Sequence, residues 1–435
     1  MANALRGRVA YVNARLIDPA TGLDAPGQLL TDGESIADIG PKLFPGKVPD
    51  GIEKVDCGGH CLAPGLVDGR VQLREPGEEH KETLATAGRA AAAGGVTTMV
   101  ALPNTHPAID DVSVVEFVAR RARQLAMAKV YVYGAATKGL KGKELAEMGM
   151  LTEAGAIAVT DGPTPIGDAQ VMRRALSYAA TFGLLLIQRP EDPSLAGNGC
   201  MNSGDMATRL GLSGIPRESE IIMIERDLRL AAMTGGRLHF SLLSTAEGID
   251  AVRRAKAHGA AITCDTAPPY FALNENAIGD YRTFAKLSPP LRGESDRQAV
   301  VEGLKDGTID FVVSDHAPQD EEEKRLPFPS AAFGGVGLET LLPLALELYH
   351  NGHMSLCRAL GLVTCKPADL LGLTAGRLLK GRPADIVVFD PDRGWKVDAD
   401  LLHSKSKNSA FDGRLVQGLV LRTIIDGRAV FTQGE

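Results

Sequence analysis

Arg70 and Gln72 occupy a spacing that bears directly on metal chemistry. They lie in the apolar run 65–73, which predicts a β-strand, and side chains at i and i+2 of a strand point to the same face. Two histidines at this spacing would offer two ligands to one metal ion. Arginine is permanently cationic and has no lone pair to donate, and glutamine offers only a neutral amide oxygen, a poor zinc ligand beside imidazole. The pair therefore argues against a zinc site.

Other polar residues follow later apolar runs. They are Arg74, Asn104, Asp161, Arg189, Glu191, Asp192, Asp315 and His316. In a parallel barrel the chemistry lies at the carboxyl ends of the strands. We therefore expect these side chains to converge on one site.

Eight apolar runs, most of them separated by helical stretches, are the elements that would position these residues. They span 65–73, 97–102, 129–135, 156–160, 183–189, 237–243, 260–264 and 311–314. This alternation predicts an α/β fold of the (β/α)8 TIM-barrel type over residues 64–365. Residues 110–127 predict an amphipathic helix with Asp111 as its N-cap.

Both ends of the chain show short strand patterns separated by turn residues. Runs 9–12 and 35–40 lie near the start, and run 384–390 and a hairpin over 422–431 with Asp426-Gly427 at its turn lie near the end. Neither end alone buries much apolar surface. We expect residues 1–63 and 366–435 to form one small β-sandwich domain.

Composition excludes several classes of protein. The 435 residues are 44% hydrophobic, which suits a full core, and the net charge of −7 gives no sign of a nucleic-acid or anionic-membrane partner. The first ten residues lack the pattern of a signal peptide, and no apolar run reaches the length of a membrane span. Six scattered cysteines without a Cys-x-x-Cys pair predict free thiols in the cytoplasm.

The segment 64–77, with its run Leu73-Arg74-Glu75-Pro76-Gly77, resembles the first-strand signature of dihydroorotases in the amidohydrolase family. The resemblance extends over nearly the whole chain. It includes Leu102-Pro103-Asn104-Thr105, Pro289-Pro290-Leu291-Arg292, Ser314-Asp315-His316-Ala317-Pro318 and Ser406-Lys407-Asn408. Hydantoinases and allantoinases share the fold but usually lack the Leu-Arg-Glu-Pro-Gly run, so they come second.

The resemblance implies a set of metal-ligand positions that this chain fills differently. Arg70 and Gln72 stand where the family has a histidine pair, and Arg189 and Leu242 stand where it has a histidine on strands 5 and 6. The acidic ligand near strand 4 matches Asp161. The aspartate after strand 8, which is also the general base in active relatives, matches Asp315, and further on Tyr270, Ser288 and Gln319 replace other family residues.

Asp161 and Asp315 admit two interpretations. As a residual site, two carboxylates could hold a magnesium-like ion weakly through water. Alternatively, Arg70 and Arg189 pair with these carboxylates and restore the charge balance of a lost dication. The second interpretation is favoured, so we expect no metal cofactor. His239 and His316 are expected to be structural.

The substrate-anchoring positions match better. In the family an arginine and an asparagine bind the carboxylate of dihydroorotate, and they correspond to Arg74 and Asn104. A guanidinium group can bind a carboxylate through two parallel hydrogen bonds. The resemblance thus implies binding of a small dicarboxylate. The alternative is that an acidic neighbour such as Glu75 or Asp192 holds Arg74.

Without imidazoles to hold a metal, hydroxide generation should fail. We therefore expect an inactive homologue, with Asp315 as a vestigial base, acting as a structural or regulatory subunit with the catalytic subunit of aspartate transcarbamoylase in pyrimidine synthesis. Two alternatives remain: an active dihydroorotase or related cyclic amidohydrolase with a non-standard metal site, containing zinc, or a carboxylate sensor. A homo-oligomer is also expected.

Overall fold

A computed structural model describes residues 7–44 and 46–434. Residues 1–6 and 435, at the two ends of the predicted sandwich domain, lie outside the described residues. The prediction of no signal peptide rests on the first ten residues, and most of these lie outside them too.

The strands alternate with helices through the middle of the chain and stand alone at its ends. They are β1 (Arg8–Asp18), β2 (Leu23–Asp32), β3 (Ser35–Gly40), β4 (Glu53–Asp56), β5 (Cys61–Pro64), β6 (Leu66–Val71), β7 (Val96–Ala101), β8 (Lys129–Val132), β9 (Gly134–Ala135), β10 (Val159–Thr160), β11 (Leu185–Gln188), β12 (Met201–Asn202), β13 (Gly214–Ile215), β14 (Arg237–Phe240), β15 (Ile262–Thr266), β16 (Phe311–Val312), β17 (Ile386–Lys396), β18 (Leu415–Ile425) and β19 (Arg428–Thr432).

The helices are α1 (Leu84–Ala93), α2 (Val112–Leu125), α3 (Met148–Glu153), α4 (Ala169–Thr181), α5 (Pro193–Ala196), α6 (Asp205–Leu210), α7 (Glu218–Thr234), α8 (Ala246–Ala257), α9 (Pro268–Ala272), α10 (Glu294–Asp306), α11 (Glu321–Arg325), α12 (Leu341–His350), α13 (Leu356–Gly361) and α14 (Cys365–Leu370). Short 3-10 turns cover Lys138–Leu140, Glu275–Ile278, Thr283–Ala285, Leu338–Thr340 and Ala399–Leu401.

The central strands form a (β/α)8 barrel, as predicted. Parallel pairs join β6 to β8 in one run and β9, β10, β11, β14, β15 and β16 in another. Each of the eight predicted runs overlaps an observed strand. The ring closes beside β6, where a parallel bridge joins Val71 to His316 and the amide of Gln72 donates to the carbonyl of His316 at 2.9 Å. This closure brings the segment after β16 next to the end of β6.

Both ends of the chain enter one eight-stranded sheet, in which β5 lies between β1 and β17. The two faces of β5 bury different cores, because alternate residues of a strand point to opposite sides. Leu62 joins the core of the small domain, whereas Cys61 and Ala63 join the larger core shared with the barrel. The fold is thus a barrel with a β-sandwich domain, while the boundaries at 63/64 and 365/366 stay predictions.

Local sequence explains the helix that was predicted with its cap. The Asp111 side chain accepts from the amide of Ser113 at 2.8 Å, and α2 begins at the next residue, Val112. An N-cap carboxylate satisfies a backbone donor that has no partner within the helix. The hairpin also forms as predicted, with Asp426 and Gly427 between β18 and β19.

No helix among residues 7–44 and 46–434 is long and apolar enough to cross a membrane. The expected cytoplasmic location stays a prediction. All six cysteines are free, as predicted.

Candidate active site at the barrel mouth

The carboxyl ends of several barrel strands bring charged side chains together in a largely water-excluded space. Arg70 comes from β6, Arg189 follows β11, Ser241 follows β14, Asp265 lies in β15 and Asp315 follows β16. The side chains of Arg70 and Arg189 are each only 3% exposed. Buried charges are tolerated only when other charges or hydrogen bonds compensate them, so the contacts of each group define the site.

Arg70 and Asp315 form the central ion pair. The Nε of Arg70 donates to Oδ1 of Asp315 at 2.9 Å, and Nη1 donates to the Ser241 hydroxyl at 3.3 Å. Burial raises the pKa of Asp315 above its usual value, and the nearby guanidinium groups of Arg70 and Arg189 offset only part of that effect. The structure thus contains a predicted ion pair, that between Arg70 and Asp315.

Asp265 is linked to this ion pair through Ser241, which contacts both Asp265 and Arg70. Its carboxylate contacts the Ser241 hydroxyl at 3.1 Å and accepts from the amide of Leu242 at 2.7 Å. His239 lies 2.9 Å from the same carboxylate through Nε2, and its Nδ1 lies 2.8 Å from the Thr263 hydroxyl. With both ring nitrogens engaged in the barrel interior, His239 is structural.

Arg189 forms a second pair with Glu191. Its two Nη atoms donate to the two carboxylate oxygens of Glu191, each at 2.9 Å, and Nη2 also donates to the Ser288 hydroxyl at 2.7 Å. Desolvation acts to raise the pKa of Glu191, but the charge and hydrogen bonds of Arg189, together with the charge of Arg292, outweigh it and the pKa is lowered. The Nε of Arg189 is buried and has no acceptor among the described residues.

The predicted pairing of Asp161 with an arginine is wrong. Asp161 accepts instead from the amides of Ala136 and Thr137, at 3.1 and 2.8 Å, and from the Thr137 hydroxyl. Burial raises the pKa of Asp161 to about 6 despite these bonds. The backbone after β9 lies close enough to satisfy the carboxylate, and this contact forms only on folding, so no sequence motif marks it.

Gln72 and Leu242 fill their positions without offering strong metal donors. The amide oxygen of Gln72 accepts from Nδ2 of Asn104 at 3.0 Å. Leu242 is fully buried and has a φ of +63°, a conformation in which histidine, asparagine and aspartate are enriched and leucine is uncommon. The backbone at this position therefore adopts a conformation that is unusual for leucine.

The residues at these positions do not fit a zinc ion. Among residues 7–44 and 46–434, no group of three or more histidine, cysteine, aspartate or glutamate side chains is arranged to hold a metal. Zinc in hydrolases takes at least three nitrogen, sulfur or carboxylate ligands. Here two guanidinium groups lie beside Asp315, and they would repel a dication.

An acidic neighbour holds Arg74, as the alternative interpretation expected, but it is Glu78 and not Glu75 or Asp192. The Nη1 of Arg74 donates to Glu78 at 2.8 Å and its Nε donates to the carbonyl of Pro318 at 3.1 Å. The predicted partners are engaged elsewhere, since Glu75 accepts from Arg121 and Asp192 caps α5. Arg74 and Asn104 both follow barrel strands at the mouth, and their substrate role stays a prediction.

His316 braces the loop after β16. Its Nδ1 accepts from the amide of Gly337 at 3.2 Å, and its Nε2 lies 3.5 Å from the buried carboxylate of Glu82. The amide of Ser314 donates to Asp68 at 3.0 Å, and burial raises the pKa of Asp68 to about 6. These contacts fix the backbone on both sides of Asp315.

Sequence reasoning missed the supporting group Asp265 with Ser241. The signal was weak: an acidic residue ending the apolar run Ile262–Thr266, and a hydroxyl near the end of run 237–243. Neither had a motif to mark it.

Comparisons with known proteins agree with this architecture. The Dihydro-orotase-like family profile matches residues 59–248, and the Amidohydrolase family profile matches residues 220–430. A protein named dihydroorotase from Anaplasma phagocytophilum is 48% identical over 97% of this chain and 95% of its own length. Further proteins of that name come from a Wolbachia of Drosophila simulans, at 44% identity over 98% and 96% of the two chains, and from Syntrophotalea carbinolica, at 43% over 98% and 99%.

The chain belongs to the dihydroorotase family. Solved structures extend the likeness at the level of the fold. The L-hydantoinase from Arthrobacter aurescens superposes with a TM-score of 0.88 at 25% identity, covering 99% of this chain and 97% of its own. The dihydropyrimidinase from Brevibacillus agri gives a TM-score of 0.85 at 22% identity, covering 98% and 96%.

Membership of the dihydroorotase family corrects the expectation of an inactive subunit. Relatives named dihydroorotase at 43–48% identity over nearly the full length support an active enzyme of pyrimidine biosynthesis and contradict that expectation. The family is typically metal-dependent, so family membership does not support the expectation of no cofactor. Substituted ligand positions alone were too narrow a basis for predicting inactivity.

Proposed function

We propose that this chain catalyses the reversible hydrolysis of the ring amide of dihydroorotate to N-carbamoyl-aspartate. The observation that carries the proposal is the likeness to proteins named dihydroorotase across nearly the entire length of both chains. The barrel mouth supports it with the carboxylate of Asp315, which is 12% exposed, pairs with Arg70 at 2.9 Å and interacts electrostatically with Arg189.

Asp315 has the chemistry of a general base. In ring opening its carboxylate takes a proton from a water molecule as the water oxygen bonds to the amide carbonyl carbon. The carbon–nitrogen bond then breaks, and the proton passes from Asp315 to the departing nitrogen. The new carboxylic acid releases its own proton to solvent, so atoms and charge balance. Positioned proton transfer of this kind contributes about 10²–10⁴-fold to a rate.

Arg74 and Asn104 are the proposed anchors for the carboxylate that dihydroorotate carries outside the reacting amide. Arg74 is 7% exposed and lies beside the loop that follows Asp315, through its bond to Pro318. A guanidinium group in a site of low dielectric binds a carboxylate through charge-assisted hydrogen bonds. The anchor would hold the ring with its amide toward Asp315.

Zinc, the cofactor expected of an active relative, is left out of this proposal because the donor set does not fit it. Association with the aspartate transcarbamoylase catalytic subunit, formation of a homo-oligomer and binding of a small dicarboxylate stay predictions. Size-exclusion chromatography with and without the transcarbamoylase tests the first two.

Selectivity for a carboxylated ring tests the proposed function. The purified chain is expected to open dihydroorotate and to leave dihydrouracil, which lacks the carboxylate, nearly unreacted. Arg74→Gln should lower kcat/KM for dihydroorotate by about 10–100-fold, mainly by raising KM, because a hydrogen bond to a charged group is worth about 1.5–3 kcal/mol. Chromatographic product assays measure both quantities.

The structure provides a clean control for this variant. Glu78 keeps its ion pair with Lys81 at 2.9 Å when Arg74 is replaced, so no buried carboxylate is left alone. Arg174→Gln, at an exposed position on α4, should match the parent. Equal turnover of both rings, or no turnover of dihydroorotate, would contradict the proposed function.

A further inference from the structure

The Nε–H of Arg189 is a buried donor without an acceptor among the described residues. The side chain is 3% exposed, and its two Nη atoms are engaged by Glu191, Ser288 and the carbonyl of Pro163. Leaving a buried charged donor unsatisfied costs at least about 1–3 kcal/mol, and such groups are rare enough to need a reason. A ligand oxygen that completes the set is one such reason.

The surroundings of this donor belong to the candidate site. The charge of Arg189 acts to lower the pKa values of both Asp315 and Tyr270, and its Nη2 bonds to Ser288, the residue before Pro289. The Tyr270 hydroxyl is already used, because it donates to the carbonyl of Pro289 at 3.0 Å. The Nε of Arg70 already has an acceptor as well, because it donates to Asp315. Among the donors of Arg70, Arg189 and Tyr270, the Nε of Arg189 is the one that is buried without an acceptor in the described part of the chain, as is the Nε of Arg217 elsewhere in the fold.

Glu191 and Ser288 hold the guanidinium in place. The bidentate contact with Glu191 fixes the plane of the group, and Ser288 fixes it from another barrel loop. A donor held rigidly in a dry site stabilises developing negative charge without having to reorganise. This is the property that an oxyanion site requires.

We propose that Arg189, through this Nε–H, binds the reacting carbonyl oxygen of the substrate and supplies the polarisation that a metal ion would otherwise supply. The inference rests on the proposed function and deepens it. As water adds to the carbonyl carbon and Asp315 takes the water proton, negative charge forms on this oxygen beside the guanidinium. When the carbon–nitrogen bond breaks, the carbonyl re-forms and the charge is released.

Arg189→Lys tests this role because it keeps a positive charge beside Glu191 while removing the planar donor. We expect kcat to fall by about 10²–10³-fold, as when one oxyanion donor is lost, with KM changed far less. Arg174→Gln is the matched control on the surface. A variant that keeps more than about one third of the parental kcat would overturn the assignment.

Chelation of the parent enzyme gives a second test that does not depend on the folding of a variant. We expect turnover to survive prolonged dialysis against a zinc chelator, and elemental analysis to find far less than one zinc per chain. Loss of activity on chelation with recovery on adding stoichiometric zinc would overturn the role of Arg189 and leave the proposed function standing. A parent preparation with no turnover in any condition would overturn the proposed function itself, and this inference with it.

Discussion

Replacing Asp315 with asparagine is expected to lower kcat for ring opening by about 10²–10⁴-fold, the usual contribution of a positioned general base. Asparagine keeps the size of the side chain and an oxygen for the Nε of Arg70, but it cannot take a proton. The proposed substrate anchors, Arg74 and Asn104, are untouched, so KM should change little. Steady-state kinetics of the parent and variant measure the effect.

The pH profile separates this role from a purely structural one. Ring opening requires ionised Asp315, and burial raises its pKa above the usual value for aspartate. The parental rate should therefore fall as the pH drops through that raised pKa, at a pH above 3.8. The residual rate of Asp315→Asn should lack this acid limb. A variant with the parental rate and profile would show that another group is the base.

Replacing Arg70 with methionine is expected to have the largest effect on stability. Asp315, whose side chain is only 12% exposed, would lose its 2.9 Å partner, and removing one partner of a buried ion pair costs about 3–5 kcal/mol. Ser241 would also lose its contact with the guanidinium. Urea unfolding at pH 7 measures the change in the free energy of unfolding.

Two further variants make this test specific. Arg70→Met combined with Asp315→Asn should recover most of the loss, because the uncompensated charge is removed with its partner. Arg8→Met breaks a pair whose side chains are 57% and 50% exposed, and exposed pairs contribute at most about 1 kcal/mol. A loss at Arg70 as small as that at Arg8 would mean that the buried pair does not stabilise the barrel.

The barrel was predictable because each of its strands leaves a local signal. Apolar runs bounded by helices and turns mark β6 to β11 and β14 to β16, and the observed strands overlap them, whereas the short strands β12 and β13 were not predicted. Hairpin and cap signals are equally local, as Asp111 and the Asp426-Gly427 turn show. The position of Asp315 at the barrel mouth followed from the same reasoning, since it comes directly after a strand.

The partners of the buried charges were less predictable. Asp161 is satisfied by backbone amides after β9, and Glu78 rather than Glu75 holds Arg74. These choices depend on which atoms come within about 3 Å after folding, and several candidate partners were equally near in sequence. Asp265, which supports Arg70 through Ser241, carried no motif at all.

The expected inactivity failed for a different reason. It followed from the substituted ligand positions alone, and it treated the loss of one catalytic device as the loss of catalysis. The described site contains a carboxylate with a raised pKa, Asp315, and a partly unsatisfied guanidinium, Arg189, to which the proposals above assign the roles of base and polarising group. The likeness to proteins named dihydroorotase over nearly the full length supports an active enzyme.

The proposed dihydroorotase activity is tested most directly by assays that start from each side of the reaction. One preparation is given dihydroorotate and, separately, N-carbamoyl-aspartate, with Asp315→Asn purified in parallel to reveal any contaminating enzyme. We predict that the parent brings both mixtures to the same ratio of ring to open form, far faster than the variant. Mixtures that stay as they began, or that change equally fast with parent and variant, would contradict the account.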